Sequence, residues 1–300
     1  MSIIGNVFNI CGQFTANPTN VFSVDEKIKE TSLLIKKDLP DFKEHFMGMP
    51  FINENFTNRI VKVQYAVFYE LIAGSINYKY WYGRYNIRLN NSSSIKMYKD
   101  LDDVFKEVVN FGEISDAYAS TVIDCFIKKI SVERYPMLNE RINHLRELNT
   151  EFARDLGKSI YNQDYNLDYW LERLITSFPG YAQDIFLKRA FLFFMMLNRR
   201  MGWFKEDIHK LPIPADYQIP KMLKWLGCIK YSSKLSCDIM EGKLIPKGSL
   251  EECELRATSI MVCKRLSELA DCSMADVDNY LWKNRKQCKE PFHLTITTDY

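Results

Sequence analysis

The chain has 300 residues, 47% of them hydrophobic, which is enough for one large core or a core with a small lobe. Its 40 Lys and Arg against 38 Asp and Glu leave a net charge of +2, which excludes a surface built throughout to grip a polyanion but leaves a local basic patch open. Eight scattered cysteines without a Cys-x-x-Cys pair read as reduced thiols, and His45, His144, His209 and His293 do not pair at metal-ligand spacing, so neither a metal nor a cofactor is expected.

The opening Met-Ser-Ile-Ile-Gly-Asn-Val-Phe lacks a basic segment and a long apolar one, and the longest apolar run, Ala190 to Leu197, is far too short to span a bilayer. The expectation is a cytoplasmic protein without a membrane partner, in which the formal sequons at Asn55 and Asn91 stay idle.

In chain order, residues 1–24 read as an irregular lead-in containing Gly5, Gly12 and Asn17-Pro18. Val24 to Lys37 is amphipathic behind a Ser23/Asp25 cap signal and predicts a helix that ends at Asp38-Leu-Pro. Val61 to Ile72 is apolar on most faces and long enough to favour a buried helix over a strand. The stretch Gly74 to Tyr85 follows, crowded with aromatic side chains and carrying Asn77, Lys79 and Arg84 among them. It reads either as a core-facing cluster at a helix end or as stacking faces with an amide for a base edge.

Asn90 to Ser94 is a polar loop, Asp102 to Phe111 a short amphipathic helix, and Ser115 a cap for a helix reaching Ile130. Pro136 opens a long helix through Leu138, Ile142, Leu145 and Leu148 that looks like an ordinary surface helix. Leu167 to Thr176 predicts a helix stopped by Ser177-Phe-Pro-Gly, and Phe186 to Met201 a central buried one with Lys188 and Arg189 at its start.

The segment Ile213 to Tyr231 holds Asp216 between Pro214 and Pro220, with helical spacing of Ile219, Met222, Leu223 and Leu226 behind it and Gly227 as a stop. Asp216 therefore stands just before a helix N-terminus, where free N–H groups favour the ionised carboxylate. A plain helix cap is the competing reading. Beyond it come short helices, a turn at Lys243 to Gly248, a long helix over Glu251 to Leu269, and a strand-like alternation at the end.

Ala215-Asp-Tyr-Gln-Ile-Pro with the following Trp-Leu-Gly-Cys-Ile-Lys-Tyr-Ser resembles the Ala-Asp-Tyr-Arg segment of the queuosine salvage protein family. Asn77, Tyr78, Tyr80 and Trp81 fall on that family's Asn, two Phe and Trp. Phe178-Pro-Gly-Tyr, Lys188-Arg-Ala, Glu252-Cys-Glu-Leu-Arg-Ala257, Val277 to Trp282 and Pro291-Phe-His293 agree in order and spacing, as does Pro136-Met-Leu-Asn-Glu-Arg141. The resemblance runs from about residue 60 to 300 and divides the chain into an N-terminal extension, 1–60, and a single domain, 61–300.

The resemblance implies a mainly α fold, a helical bundle like that of the helix-hairpin-helix DNA glycosylases, with room for a few short strands. It implies release of queuine from queuosine 5′-phosphate, with a small-molecule nucleotide as substrate and nucleic acid not favoured as a partner. Breaking an N-glycosidic bond puts positive charge on the ribose C1′, which a carboxylate stabilises or attacks. That role falls to Asp216. Asn77, Tyr78, Tyr80 and Trp81 would hold the base, Lys188 and Arg189 the phosphate, and Tyr217 and Gln218 would flank the carboxylate.

Three positions depart from the family pattern: Gly74 replaces an acid, Lys79 a small residue and Gln218 an arginine. The alternatives are therefore an enzyme acting on a modified base in DNA, a nucleotide-binding module without turnover, and a purely structural helical protein.

Overall fold

The computed structural model describes residues 2–39, 58–82, 93–108 and 114–300. Asn55, Pro40, Arg84, Tyr85 and Asn90 to Ser92 lie outside them, as do residues 109–113 at the end of the predicted Asp102 helix. The described chain is mainly α, as the pattern implied. Its helices are α1 (Ile3–Thr15), α2 (Asp25–Asp38), α3 (Arg59–Ser75), α4 (Ser94–Val108), α5 (Asp116–Val132), α6 (Leu138–Arg146) and α7 (Thr150–Tyr161). They continue with α8 (Leu167–Ser177), α9 (Pro179–Ala182), α10 (Lys188–Met201), α11 (Gln218–Trp225), α12 (Ser233–Met240), α13 (Leu250–Ala270) and α14 (Met274–Asn284). Among the described residues the sole sheet pairs β1 (Val21–Ser23) antiparallel with β2 (Ile229–Tyr231), Val21 opposite Tyr231. No described helix is long and apolar enough to cross a membrane.

The chain forms two compact units, Met1–Phe46 with Asp184–Met195 and Lys205–Tyr300, and Met47–Gln183 with Met196–Phe204. In the first unit α13 is the hub, packed by α1, α2, β1, α11 and α14. It is buried on nearly every face, so its polar residues must find partners inside. Glu254 does so by accepting from the backbone N–H groups of Thr19 (3.0 Å), Asn20 (2.6 Å) and Val21 (3.0 Å).

The irregular lead-in expected for residues 1–24 is corrected here. Ser2 caps α1 by accepting from the Gly5 N–H at 3.1 Å, and Ile4, Val7 and Cys11 are the helix's buried residues. A Cβ at Gly12 would meet nothing within 4 Å, so the glycine there costs helix propensity and no close approach requires it. The Ser23/Asp25 cap signal is not realised either: α2 begins behind Val24, which makes no side-chain cap bond.

In the second unit α3 is the hub, packed by α4, α6 and α7. Asn58 caps it, and from Tyr65 to Ser75 every residue is buried. Gly157 on α7 permits a close approach: a Cβ there would stand 2.7 Å from Gln64 Cγ. Glu70 meets Arg200 at 2.6 Å, both side chains buried.

Ser115 caps α5 by accepting from the Tyr118 N–H at 3.2 Å, as its position predicted. Two expectations are corrected. Helix α4 starts at Ser94, eight residues before Asp102, because Met97 and Leu101 continue the buried stripe of Val104 and Phe105. The long helix from Pro136 ends at Arg146, and Asn149 caps a separate α7. Nor is α6 a plain surface helix, since Arg141, His144 and Leu145 are buried.

Candidate functional site

Asp216 belongs to the first unit. The Ala215 N–H bonds back to the Ile213 carbonyl at 2.8 Å, making a tight bend after Pro214. The Gln218 N–H, first of α11, donates to Asp216 Oδ1 at 2.7 Å. Asp216 thus stands at a helix N-terminus as its sequence position predicted, and it keeps part of its surface open to solvent.

Its surroundings act against the helix terminus. Burial raises the Asp216 carboxyl above the ordinary carboxylate range. Lys188 and the N–H groups of Gln218 and Ile219 pull it down, Asp278 pushes it up, and the upward effects win. A helix terminus alone favours the ionised form, but here removal from water outweighs the terminus.

Lys188 is the matching cation. It is buried at the start of α10, and its removal from water lowers its ammonium to about 8. Asp216 and Asp184 oppose that shift, while Arg189 and Arg256 add to it. Arg189, next along the helix, is also buried. The predicted Asp216, Tyr217, Gln218, Lys188 and Arg189 therefore lie in one unit, with Asp216 and Lys188 in each other's field. The Tyr217 ring packs on Phe292 at a centroid distance of 4.5 Å.

Two residues with no assigned role from sequence hold this region. Asp184 accepts from the Phe186 N–H at 3.0 Å and the Lys188 N–H at 2.8 Å. Its carboxylate also receives both terminal nitrogens of Arg256, at 2.7 and 2.6 Å. Burial alone would raise the Asp184 carboxyl, but Arg256 and the N–H donors outweigh it and hold it below the usual range. The Arg256 Nε–H donates to the Ala215 carbonyl at 3.0 Å. The available signal was a charged run, Glu252 to Arg256, inside a long helix whose neighbours are apolar.

Asn77, Tyr78, Tyr80 and Trp81 belong to the second unit, just after the C-terminus of α3, and all four are buried. Arg141 lies under them, its guanidinium 4.3 Å from the Tyr78 ring and 5.0 Å from the Tyr80 ring. Its nitrogens donate to the carbonyls of Ile76, Tyr78, Lys79 and Pro136. Tyr78 also sets an edge against His144 at 5.6 Å, and Tyr80 one against Tyr135 at 6.4 Å. Within their own unit these aromatics are buried against Arg141, His144 and Tyr135.

Lys79 has a left-handed backbone (φ 32°), with its ammonium 3.0 Å from the Trp81 carbonyl and 4.2 Å from the Trp81 ring centroid. Burial and Arg141 lower its pKa against the pull of Glu140. The Gly74 departure also has a local cause. A Cβ at Gly74 would stand 2.6 Å from the Tyr181 hydroxyl, which donates to the Leu71 carbonyl at 2.8 Å. The space an acidic side chain would enter holds Tyr181.

Comparison with known proteins agrees with the motifs. Residues 59–300 match the model of the family described as queuosine salvage protein. A mouse protein named queuosine 5′-phosphate N-glycosylase/hydrolase is 25% identical over 193 residues, covering 53% of this chain and 57% of the relative. Proteins of the same name from Schizosaccharomyces pombe and Sphaerobacter thermophilus are 26% and 29% identical, covering 56% and 55% of this chain and 54% and 58% of the relatives. The chain thus spans a little over half the length of the curated relatives it matches.

Proposed function

Because this chain belongs to the queuosine salvage protein family, we propose that it hydrolyses the N-glycosidic bond of queuosine 5′-phosphate or a closely related 7-deazaguanine nucleotide. The C1′–N bond breaks, the base leaves with the bonding electrons and takes up a proton, and water delivers hydroxide to C1′. The products are the free base and ribose 5-phosphate.

The observation that supports this reading best is a half-buried carboxylate, Asp216, at the start of α11, lying in the field of a buried lysine, Lys188, at the head of α10. As the bond lengthens, positive charge grows on the ribose, and a fixed carboxylate stabilises it. We assign that task to Asp216. Lys188 keeps the carboxylate ionised in a site that otherwise favours its neutral form. With Arg189 it supplies the positive charge we assign to the 5′-phosphate. Base recognition is assigned to Asn77, Tyr78, Tyr80 and Trp81 on their match to the family motif, and Tyr217 and Gln218 flank the carboxylate. The same resemblance carries our proposal of a helix-hairpin-helix glycosylase-like bundle over 61–300, and the scattered cysteines without a Cys-x-x-Cys pair carry our proposal of a cytoplasmic location.

The test is mass-spectrometric detection of free base after incubation with queuosine 5′-phosphate, beside queuosine and common nucleotides. Queuine release by the wild type, lost in Asp216→Asn, is the expected result. Release that survives in Asp216→Asn would remove Asp216 from its role, and no release from any monomeric substrate would overturn the proposed activity.

A further inference from the structure

The two segments that carry Asp216 and Lys188 are separate in the sequence, and one buried ion pair holds both. Arg256 is 1% exposed and Asp184 2% exposed, so neither presents a surface to a substrate. Both terminal nitrogens of Arg256 meet the Asp184 carboxylate, and its Nε–H meets the carbonyl of Ala215, the residue before Asp216. The same carboxylate accepts the backbone N–H of Lys188.

A guanidinium is planar, and its donors point in fixed directions. The path from the Lys188 backbone through Asp184 and Arg256 to Ala215 is therefore a rigid strut. The Phe186 and Tyr300 rings lie 4.7 and 4.3 Å from the guanidinium, which keeps it from swinging. Leu187, between Phe186 and Lys188 whose N–H groups donate to the Asp184 carboxylate, has φ 50°, a left-handed conformation that a leucine holds only under restraint. Asp184 supplies that restraint through its backbone carbonyl, which accepts the Leu187 N–H at 3.0 Å, and through its carboxylate.

We infer that Arg256 and Asp184 are a positioning pair that sets the spacing between the Lys188 ammonium and the Asp216 carboxylate. The inference rests on the proposed reading of Asp216 as the working carboxylate. Neither member of the pair touches the reacting atoms; both act through the backbone. Among the described residues the charged groups with the largest influence on Asp216 are Lys188 and Asp278, and Lys188 in turn feels Asp184, Arg189 and Arg256.

Arg256→Lys is the discriminating variant, because it keeps the charge and removes the fork. Any change in Asp216 then reports geometry rather than net charge. The Asp216 carboxyl is followed by carbon NMR in protein labelled at aspartate Cγ, its signal identified by its loss in Asp216→Asn, and near-ultraviolet circular dichroism checks the fold. The expected result is an upward move of the Asp216 titration by about one pH unit as Lys188 drifts from it. In the base-release assay kcat falls roughly ten- to a hundredfold, because alignment is lost, while KM, which reads the phosphate contact assigned to Lys188 and Arg189, rises by a smaller factor.

Asp184→Glu also keeps the charges and displaces the fork by one methylene, so it should move both readouts the same way; it decides the matter if Arg256→Lys does not fold. A folded variant with an unmoved titration and unchanged kcat overturns the positioning pair. Should the wild type release no base, the titration alone decides the inference, and the proposed function falls separately.

Discussion

Two buried arginines make a natural comparison. Arg256 in the first unit and Arg141 in the second are both almost wholly removed from water, both lie against aromatic rings, and both donate to carbonyls of segments carrying candidate residues. They differ in what balances the charge. Arg256 meets a carboxylate through two nitrogens, with Glu252 3.5 Å away. Arg141 meets main-chain carbonyls and ring faces, and no described carboxylate pairs with it. The first arrangement is a strut whose charge is met by carboxylates, beside the carboxylate proposed to act in the reaction. The second leaves a positive field under an aromatic turn, which helps lower the Lys79 pKa. Similar burial thus serves two electrostatic ends.

The largest test of this difference is Arg256→Met. It strands the Asp184 charge inside the protein and should cost about 3–5 kcal/mol in urea denaturation, with base release lost. Adding Asp184→Leu removes the stranded charge and should recover part of that stability, the rest staying lost because the Phe186 and Lys188 N–H groups no longer have their acceptor. Base release should stay lost in the double variant. Recovery of activity together with stability would break the distinction between holding the fold and aligning Asp216.

Arg141→Met strands carbonyl dipoles instead of a charge, so about 2–3 kcal/mol is expected, with no carboxylate substitution able to restore it. If the 77–81 turn binds the base, a folded Arg141→Met raises KM more than it lowers kcat. Near the same turn, Gly74→Ala should cost about 1–3 kcal/mol by thermal denaturation, since its new methyl meets the Tyr181 hydroxyl. Much of that cost should vanish in a Tyr181→Phe background, and an equal cost in both backgrounds would show that Tyr181 does not fill the space.

The smallest effect is the pH profile. Base release needs Asp216 ionised and, by the proposed reading, Lys188 charged. The Asp216 carboxyl is raised, so the rate falls as pH drops through a value above the ordinary ~3.9 of an aspartate. On the alkaline side the rate falls as pH rises through about 8, where Lys188 gives up its proton. A flat alkaline limb up to pH 10 would remove the Lys188 charge from the reaction.

Much of this was legible residue by residue. The buried α3, the Ser115 cap of α5 and the carboxylate before α11 all follow from patterns that close within a turn or two. The strand Val21–Ser23 did not, because its partner lies at Ile229–Tyr231 and three residues carry no alternation to read. Helix α1 was masked by its glycines, and α4 was read from Asp102 because its first turns mix polar residues with the buried Met97 and Leu101. The helix that carries Arg141 looked like an ordinary surface helix, since nothing within one helical turn tells that the carbonyls of Ile76 and Tyr78 accept from Arg141.

The sequence by itself determined that the chain is mainly helical and that Asp216 sits between two prolines at a helix start. These depend on dihedral restriction, helical periodicity and local hydrogen bonds, all of which act between near neighbours. The tertiary structure decided the charges. Whether Asp216 is held ionised or pushed toward its neutral form depends on burial and on Lys188 and Asp278, and whether Arg256 is a surface cation or a strut depends on Asp184, 72 residues away. Removal from water and the meeting of distant ions exist only once the chain has closed on itself, and at these positions they outweigh what the local sequence favours.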